Sequence, residues 1–430
     1  MESHRILLIG SGGREHALAL ALSGSPQLET LYIAPGNPGT DSLGVNVDID
    51  LDDFESILSF IEEHEITLTV IGPEKPLVDG LVDFLEDEEK LVFGPSKDAA
   101  RLEGSKSFAK DIMHKYSIPT ADYVCFERHE WSQAVEHVNE TQNWPRVLKA
   151  DGLAAGKGVF VCENKEEALE ALEMMQNDPN LSGASYRLVI EEFLVGEEVS
   201  VFAICDGNSS KIMFHAQDHK RIGDGDTGLN TGGMGAYGPA PVLDVTGLKE
   251  VNETIVKPMI NAMANEGMPY KGVLYVGLMM TASGPKVVEF NCRFGDPECQ
   301  VIVPALKSDF IEMLLASVHG KLDYIDIEMD SSYYTCIVLS SKGYPLSYEK
   351  GNRISGNLEN RDDIWIFHCG TKTGDDGILY TNGGRVLNVV AKGDDLKQSI
   401  NRAYQAVGEI SFEGMYYRKD IGEKGLKRVS

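Results

Sequence analysis

The stretch "RILLIGSGGREHALALAL", residues 5–22, decides how the chain begins to fold. A short apolar run without polar alternation reads as a parallel strand buried on both faces. It runs into Gly10–Gly13, and small residues continue as a helix. Rossmann units open this way, with the turn aiming backbone N–H groups at an anion. The dinucleotide fingerprint is incomplete, because Gly10 and Gly12 fit G-x-G-x-x-G but Glu15 takes the third glycine position. The acid expected about twenty residues further on would be Glu29, which opens the second strand instead of ending it. That strand's far end reads "APGNPG", with no carboxylate before Asp41. The turn therefore reads as a site for one monophosphate, with Arg14 as the cation beside it, and not as an NAD site. A glycine turn that only packs the first helix is the plain alternative.

Working outward, strands and helices alternate: "LETLYIAPG", "DDFESILSFIEEHE", "ITLTVIGPE", "LVDGLVDFLEDEE" (one helix) and "LVFGPS". This pattern predicts a parallel sheet with ligands at the carboxyl ends of its strands. A helical stretch, "KDAARLEGSKSFAKDIMHKY", leads to a boundary at "SIPT". A second unit follows: "RVLKADGLAAGKGVFVC" as strand-loop-strand, a helix, and "YRLVIEEFL" as a strand ending near Gly196. "EVSVFAICDG" and "KIMFHAQDHK" read as antiparallel partners, and "GVLYVGLMMT" with "PKVVEFNCRF" as a hairpin. Between them "RIGDGDTGLNTGGMGAYGPAP" shows no period, which marks a functional loop. The C-terminal strands "YYTCIVLS", "IWIFHCG" and "GRVLNVVAKG", with a final helix, read as a smaller α+β domain.

A chain of 430 residues should hold about two to four domains. With 42% hydrophobic and 25% charged residues it can bury a large core, and its net charge of −28 opposes nucleic acid and anionic membranes. Seven scattered cysteines without a C-x-x-C pair read as reduced thiols, and no apolar run suggests export or a membrane span. A cytoplasmic protein is expected.

Three motifs can carry chemistry. "KADGLAAGKGV" (149–159) has glycines and lysines for phosphate contact, but Gly158 stands where a P-loop needs Ser or Thr, and a strand follows. An ordinary flexible hairpin is the alternative. In "KVVEFNCRFGDPE" (286–298), Glu289 and Asn291 share a strand face. Two oxygen ligands with open positions suit magnesium held partly by nucleotide phosphates. Arg293 continues that face and can neutralise a transferring phosphoryl group. A half-exposed polar strand is the alternative. "GLNTGGMGAYGP" offers close-set backbone donors, a nest for a carboxylate, or else a plain surface loop.

Taken together, "IGSGGREHALA", "GPEKPLVDGL", "FGPSKDAARLEGSKSFAKD", "VLKADGLAAGKGV", "VIEEFLVGEEVSV", "AQDHKRIGDGDTGLNTGGMGAYGP" and "EFNCRFGDPE" resemble the ATP-grasp superfamily and, within it, the glycinamide ribonucleotide synthetases. The resemblance runs from about residue 5 to 310 and more loosely beyond. It implies a mixed α/β and α+β multidomain fold. Residues 1–104 would form a Rossmann-like substrate domain and 105–318 an ATP-grasp domain, with a mobile lid at 121–190; 325–430 would form a C-terminal α+β domain. It implies ATP as co-substrate, Mg2+ or Mn2+, and no NAD. Lys106, Lys149, Gly152, Ala155, Gly156, Lys157, Gly158, Glu191, Glu192, Phe193, Leu194 and Glu198 would bind ATP, with Glu198 on its ribose. Glu289 and Asn291 would hold the metal. Gly12, Gly13, Arg14, Glu15 and Glu74 would bind phosphoribosylamine. Asp218, Thr231, Gly232, Gly233 and Gly235 would bind glycine, and Arg293 and Lys220 would act in catalysis. The implied partners are small molecules, neither nucleic acid nor membrane. The implied state is a monomer in transient contact with the enzyme that makes phosphoribosylamine. Other readings are a different purine-pathway ligase or carboxylase, a non-catalytic nucleotide sensor, and an NAD oxidoreductase.

Overall fold

The structure, a computed structural model, describes residues 3–152, 158–177 and 187–429. Strands β1 (His4–Gly10), β2 (Leu28–Pro35), β3 (Val45–Asn46), β4 (Leu68–Ile71) and β5 (Val92–Phe93) form a parallel sheet in the order β3-β2-β1-β4-β5. Ile6 to Ile9 are fully buried, as a central strand covered on both faces requires. The chain leaves β1 to one side and returns to the other at β4, so the carboxyl ends of these two strands make a switch point, where a crevice opens. Gly10–Arg14 and Gly72–Glu74 flank it. Helix α1 (Gly13–Ser23) starts directly from the turn, and α2 (Phe54–Glu63) is capped by the Asp53 carboxylate. The single helix expected at "LVDGLVDFLEDEE" is broken: Gly80, at φ +99°, separates α3 (Glu74–Asp79) from α4 (Leu81–Asp87).

Helices α5 (Lys97–Gly104) and α6 (Lys106–Lys115) lead to a separate four-stranded sheet. Its strands β6 (Tyr123–Glu127), β7 (Arg146–Ala150), β8 (Val159–Cys162) and β9 (Arg187–Glu192) pair antiparallel in the order β6-β9-β7-β8. Helices α7 (Trp131–Glu140) and α8 (Lys165–Asn177) close a small core of its own around Val138, Leu148, Leu172 and Ile190.

The largest sheet joins the middle of the chain to its end. Strands β10 (Glu197–Asp206), β11 (Ser210–Asp218), β14 (Gly235–Gly238), β15 (Lys271–Thr281), β16 (Gly284–Asn291) and β17 (Tyr333–Ser340) lie with β19 (Ile364–His368) and β22 (Arg385–Gly393) in the order β16-β15-β10-β11-β14-β17-β22-β19. The C-terminal strands thus continue the central sheet through β14, where Tyr237 pairs with Thr335. The glycine loop is also ordered: β12 (Arg221–Gly223) and β13 (Thr227–Asn230) make a two-stranded ribbon before β14. Strands this short and rich in glycine leave no apolar alternation to read. Two minor pairs, β18 (Ser355–Gly356) with β23 (Ile410–Ser411) and β20 (Thr371–Thr373) with β21 (Leu379–Thr381), complete the C-terminal part.

Candidate active site

The strand β16 carries the centre. Glu289 and Asn291 lie two residues apart beyond a bulge at Val288, where β15 passes from Gly277 to Leu278. Gly277 makes room, because a Cβ there would stand 3.1 Å from Glu289 Cγ. Among the described residues neither side chain has a hydrogen-bond or ion-pair partner. Yet Lys220, Lys149, Lys106 and Arg293 surround Glu289. Burial alone would raise its carboxyl, but the four cations outweigh it and hold the group below the usual range. Among the described residues no three His, Cys, Asp or Glu side chains converge as a self-sufficient metal site. One free carboxylate and one free amide, ringed by cations, fit a divalent ion whose other ligands are phosphate oxygens.

The lysines expected on phosphate lie around that centre. Ser105 caps α6 through the Phe108 N–H, which sets Lys106 at the helix start, and its Nζ donates to Gly152 O at 2.9 Å. Burial lowers the Lys106 ammonium. Lys149 Nζ bonds Glu191 Oε2 at 3.0 Å and Val288 O at 3.3 Å. Glu191, expected to bind ATP, has its carboxylate buried between Lys149 and Lys110, the latter at 3.3 Å. Burial lowers Lys110 to about 8. Glu192 accepts from Lys286 at 2.8 Å, while Phe193 and Leu194 follow in the segment to β10, with Phe193 exposed. Glu198, expected on ribose, is held by Lys220 Nζ at 2.6 Å. Gly158 O accepts from Ala150 N–H at 2.8 Å, closing the base of the hairpin. Ala155, Gly156 and Lys157 lie outside the described residues.

At the switch point the turn is already satisfied. Gly12 N–H donates to Glu15 Oε2 at 2.6 Å, and Arg14 Nε bonds Glu15 Oε1 at 2.6 Å. A Cβ on Gly10 or Gly72 would strike the Glu15 side chain, so this acid fills the space that a third glycine would leave open. Arg14 is buried and reaches Phe294 O at 3.2 Å and Glu74 at 3.9 Å, away from the helix start. Its N–H faces Asp296 Oδ2 at 3.4 Å. An open monophosphate nest with Arg14 beside it is therefore not what the turn presents: carboxylates of the chain stand at its amides. Gly13 is held by close packing, since a Cβ would lie 2.6 Å from Cys369 Sγ and from Gln300 Nε2. Glu74, at the first turn of α3, binds Arg293 Nε at 3.2 Å, and Glu103 binds Arg293 Nη2 at 2.8 Å. Burial would raise the Glu74 carboxyl, but Arg293 and Arg14 hold it low.

Asp218 ends β11, and Lys220, two residues beyond it, pairs with Glu198. Burial, with Glu298, Glu198 and Glu289 against the opposing Lys220, pushes the Asp218 carboxyl up to about 7. The expected carboxylate nest at Thr231–Gly235 is closed. Thr231 N–H donates to Lys220 O, Gly232 N–H to Tyr344 Oη, and Gly233 N–H to Thr231 Oγ1. These glycines serve close approach instead: Cβ atoms at Gly232, Gly233 and Gly235 would stand 3.1 Å from Arg385 Cζ, 2.5 Å from Pro297 Cδ and 2.7 Å from Cys336 O. Glu103, Lys110, Asp296 and Arg385 were not singled out from sequence. Glu103 and Lys110 lie inside "FGPSKDAARLEGSKSFAKD", Asp296 inside "EFNCRFGDPE" and Arg385 inside "GRVLNVVAKG", but spacing in those strings gives none of them a role.

Comparison with known proteins bears on this whole arrangement. Residues 4–103, 104–299 and 334–424 match the N, ATP-grasp (A) and C domains of phosphoribosylglycinamide synthetase. The phosphoribosylamine–glycine ligase of Rhodopirellula baltica is 46% identical over 434 residues, covering 99% of each chain. That of Caldanaerobacter subterraneus is 46% identical over 417 residues, 97% of this chain and 99% of its own. The crystal structure of phosphoribosylamine–glycine ligase from Thermotoga maritima superposes with a TM-score of 0.84 at 35% identity, covering 97% of this chain and all of that one. The biotin carboxylase domain of Hydrogenobacter thermophilus 2-oxoglutarate carboxylase shares the fold alone, at TM-score 0.75 and 15% identity. With all three domain types present in order, and similarity along nearly the whole length, the chain belongs to the phosphoribosylglycinamide synthetase family.

Proposed function

We propose that the chain ligates glycine to 5-phosphoribosylamine at the expense of ATP, yielding glycinamide ribonucleotide, ADP and phosphate, the second step of purine synthesis leading to IMP. The observation that carries this reading is the convergence of Lys106, Lys149, Lys220 and Arg293 on Glu289, which has no hydrogen-bond or ion-pair partner among the described residues, in a chain similar along its length to phosphoribosylamine–glycine ligases. ATP lies between the lid sheet and the central sheet. Lys106 and Lys149 neutralise its phosphates, and Glu191 holds Lys149 in place. Phe193 and Leu194 line the base. Glu289 and Asn291 would hold Mg2+ or Mn2+, which would add charge neutralisation at the transferring phosphate. Asp218 receives the ammonium of glycine and orients its carboxylate towards the γ-phosphate.

Attack by that carboxylate gives glycyl phosphate and ADP; the amine of phosphoribosylamine then displaces phosphate to form the amide. No side-chain nucleophile is needed, and positioning, charge neutralisation and exclusion of water supply the acceleration. Arg293 stabilises the charge in flight, held in place by Glu74 and Glu103. Glu74 also meets the ribose of phosphoribosylamine. Its 5-phosphate approaches the turn at the start of α1. The enzyme works as a cytoplasmic monomer on small molecules, meeting the phosphoribosylamine-forming enzyme in passing.

The test is ADP release with ATP, glycine, phosphoribosylamine and magnesium, each omitted in turn. Omission of any one should abolish turnover. With glycine labelled by heavy oxygen in its carboxylate, labelled oxygen should appear in the released phosphate. Phosphate free of label would exclude the acyl-phosphate route.

A further inference from the structure

We infer that Arg385, from the C-terminal part of the chain, is a positioning residue that sets the glycine loop and the phosphoribosylamine turn against one another; this rests on the ligase reading above. One guanidinium nitrogen does most of the work. Arg385 Nη1 donates to Gly232 O at 2.7 Å and to Asp296 O at 2.6 Å, and lies 3.3 Å from Asp296 Oδ1. The other oxygen of that carboxylate faces the Arg14 N–H at the start of α1, and Gln300 Nε2 secures Oδ1 at 2.8 Å. The turn Gly295–Glu298 is therefore clasped from both sides. The glycine loop presses on it through Gly233 and Pro297, and α1 meets it at Arg14.

Each glycine in the contact serves this clasp, since a side chain at Gly232 would displace the guanidinium and one at Gly233 would strike Pro297. Tyr344 adds a second tie from the same side, its hydroxyl accepting from Gly232 N–H at 2.9 Å. None of these groups touches Lys106, Lys149, Glu289 or the lid strands. The arrangement couples the loop that follows Asp218, the proposed acceptor of glycine's ammonium, to the turn proposed for phosphoribosylamine, and leaves the nucleotide's place alone. The cation that brings Gly232 O and Asp296 together is a single guanidinium nitrogen, held at the end of a long side chain from β22.

The experiment measures apparent Michaelis constants for all three substrates in the wild type, Arg385→Met, Arg385→Lys and Tyr344→Phe, with ADP affinity measured separately by calorimetry. Arg385→Met should raise the constants for glycine and phosphoribosylamine together by about tenfold or more, the loss expected for a charged hydrogen bond. The constant for ATP and the affinity for ADP should stay within about twofold. Arg385→Lys should recover only part of the loss, and Tyr344→Phe should weaken glycine alone. If Arg385→Met does not fold, the two milder variants carry the test. Parallel loss of ATP affinity, or unchanged glycine and phosphoribosylamine constants in the folded variants, would overturn the inference. Wild-type protein that releases ADP without needing glycine would instead overturn the ligase reading.

Discussion

Asp218 and Glu289 are carboxylates of one cleft driven in opposite directions. Burial and three neighbouring acids raise Asp218 to about 7, whereas four cations outweigh burial and keep Glu289 low. The two consequences differ. From its ordinary value of 3.8 up to about 7, folded Asp218 keeps a proton that the unfolded chain has released. Its contribution to stability is therefore full below that window, falls as pH rises through it, and is flat above. Ligand-free protein should lose melting temperature across this range, and Asp218→Asn should reduce the slope. A neutral Asp218 also cannot hold the ammonium of glycine, so the Michaelis constant for glycine should rise about tenfold per pH unit below about pH 7. A constant that is flat in the wild type across that pH would remove Asp218 from the glycine site. At Asn291 no charge is at stake. Asn291→Ala should leave ligand-free melting nearly unchanged while lowering turnover on the order of a hundredfold, about 3 kcal/mol of transition-state stabilisation, with partial recovery at high magnesium. Equal turnover in variant and wild type would return Asn291 to a polar strand residue.

Among the elements, the glycine-loop ribbon owes its place to the chain's last residues. Arg418, with no exposed surface, donates to Arg221 O at 3.0 Å and Asp226 Oδ1 at 2.9 Å, and pairs with Asp420 at 2.6 Å. Tyr416 Oη donates to Ile222 O, and Gly225 N–H to Asp420. The other side of the ribbon faces β8 and α8 across a cavity of about 300 Å3 lined by Val159, Val161, Met174, Arg221 and Asn230. The ribbon is thus a fixed wall beside the four-stranded sheet. Arg418→Met would leave Asp420 without its cation and Asp226 with Lys424 alone, and should cost about 3 kcal/mol or more in stability, with a weaker hold on glycine; a melting temperature within a degree or so of wild type would show the anchor to be dispensable. Sequence pattern reached some of these elements and not others for physical reasons. The strand, turn and helix of residues 5–22 were legible because apolar run, glycines and small-residue helix agree. The hairpin of β15 and β16 was legible from two apolar strands about a short turn. The ribbon was not, because its strands are short and depend on Arg418, almost two hundred residues away in sequence. Glu15 was read as a departure from a fingerprint, but its carboxylate is what satisfies Gly12. Spacing could suggest that Glu289 and Asn291 share a face; it could not show four cations gathering around one of them.

For the whole molecule, the decisive feature is that the C-terminal strands complete the central sheet. β17 pairs with β14 from Gly235–Ile337 to Gly238–Tyr334, and β22 and β19 follow outward. The apolar cores cross the same boundaries: Ile6, Leu8 and Leu18 of the N-terminal part share a cluster with Phe202, Ile204, Tyr334 and Val390. Buried His16 ties the two ends of the chain, its Nδ1 accepting from His368 N–H at 2.9 Å, and burial holds that ring neutral with its pKa pushed down to about 3. A chain ending at residue 324 would therefore lose more than an appendage. It would leave β14 as a short unpaired edge, strip the cover from part of that cluster, and remove Arg385, Tyr344 and Arg418 from the glycine loop. Exposed strand edges and apolar faces of this kind promote association between chains. The truncated chain should be recovered aggregated, or should lack a cooperative melting transition. Restoring residues 325–430 as a separate polypeptide should not rescue ligation at micromolar concentrations, because strand pairing and core closure must occur together. In the intact chain the N-terminal and C-terminal parts should unfold in one calorimetric transition, leaving the four-stranded sheet, which has its own core, as the one unit able to melt apart. A soluble chain of residues 1–324 that melts cooperatively and turns over ATP with glycine and phosphoribosylamine would refute this account of the fold.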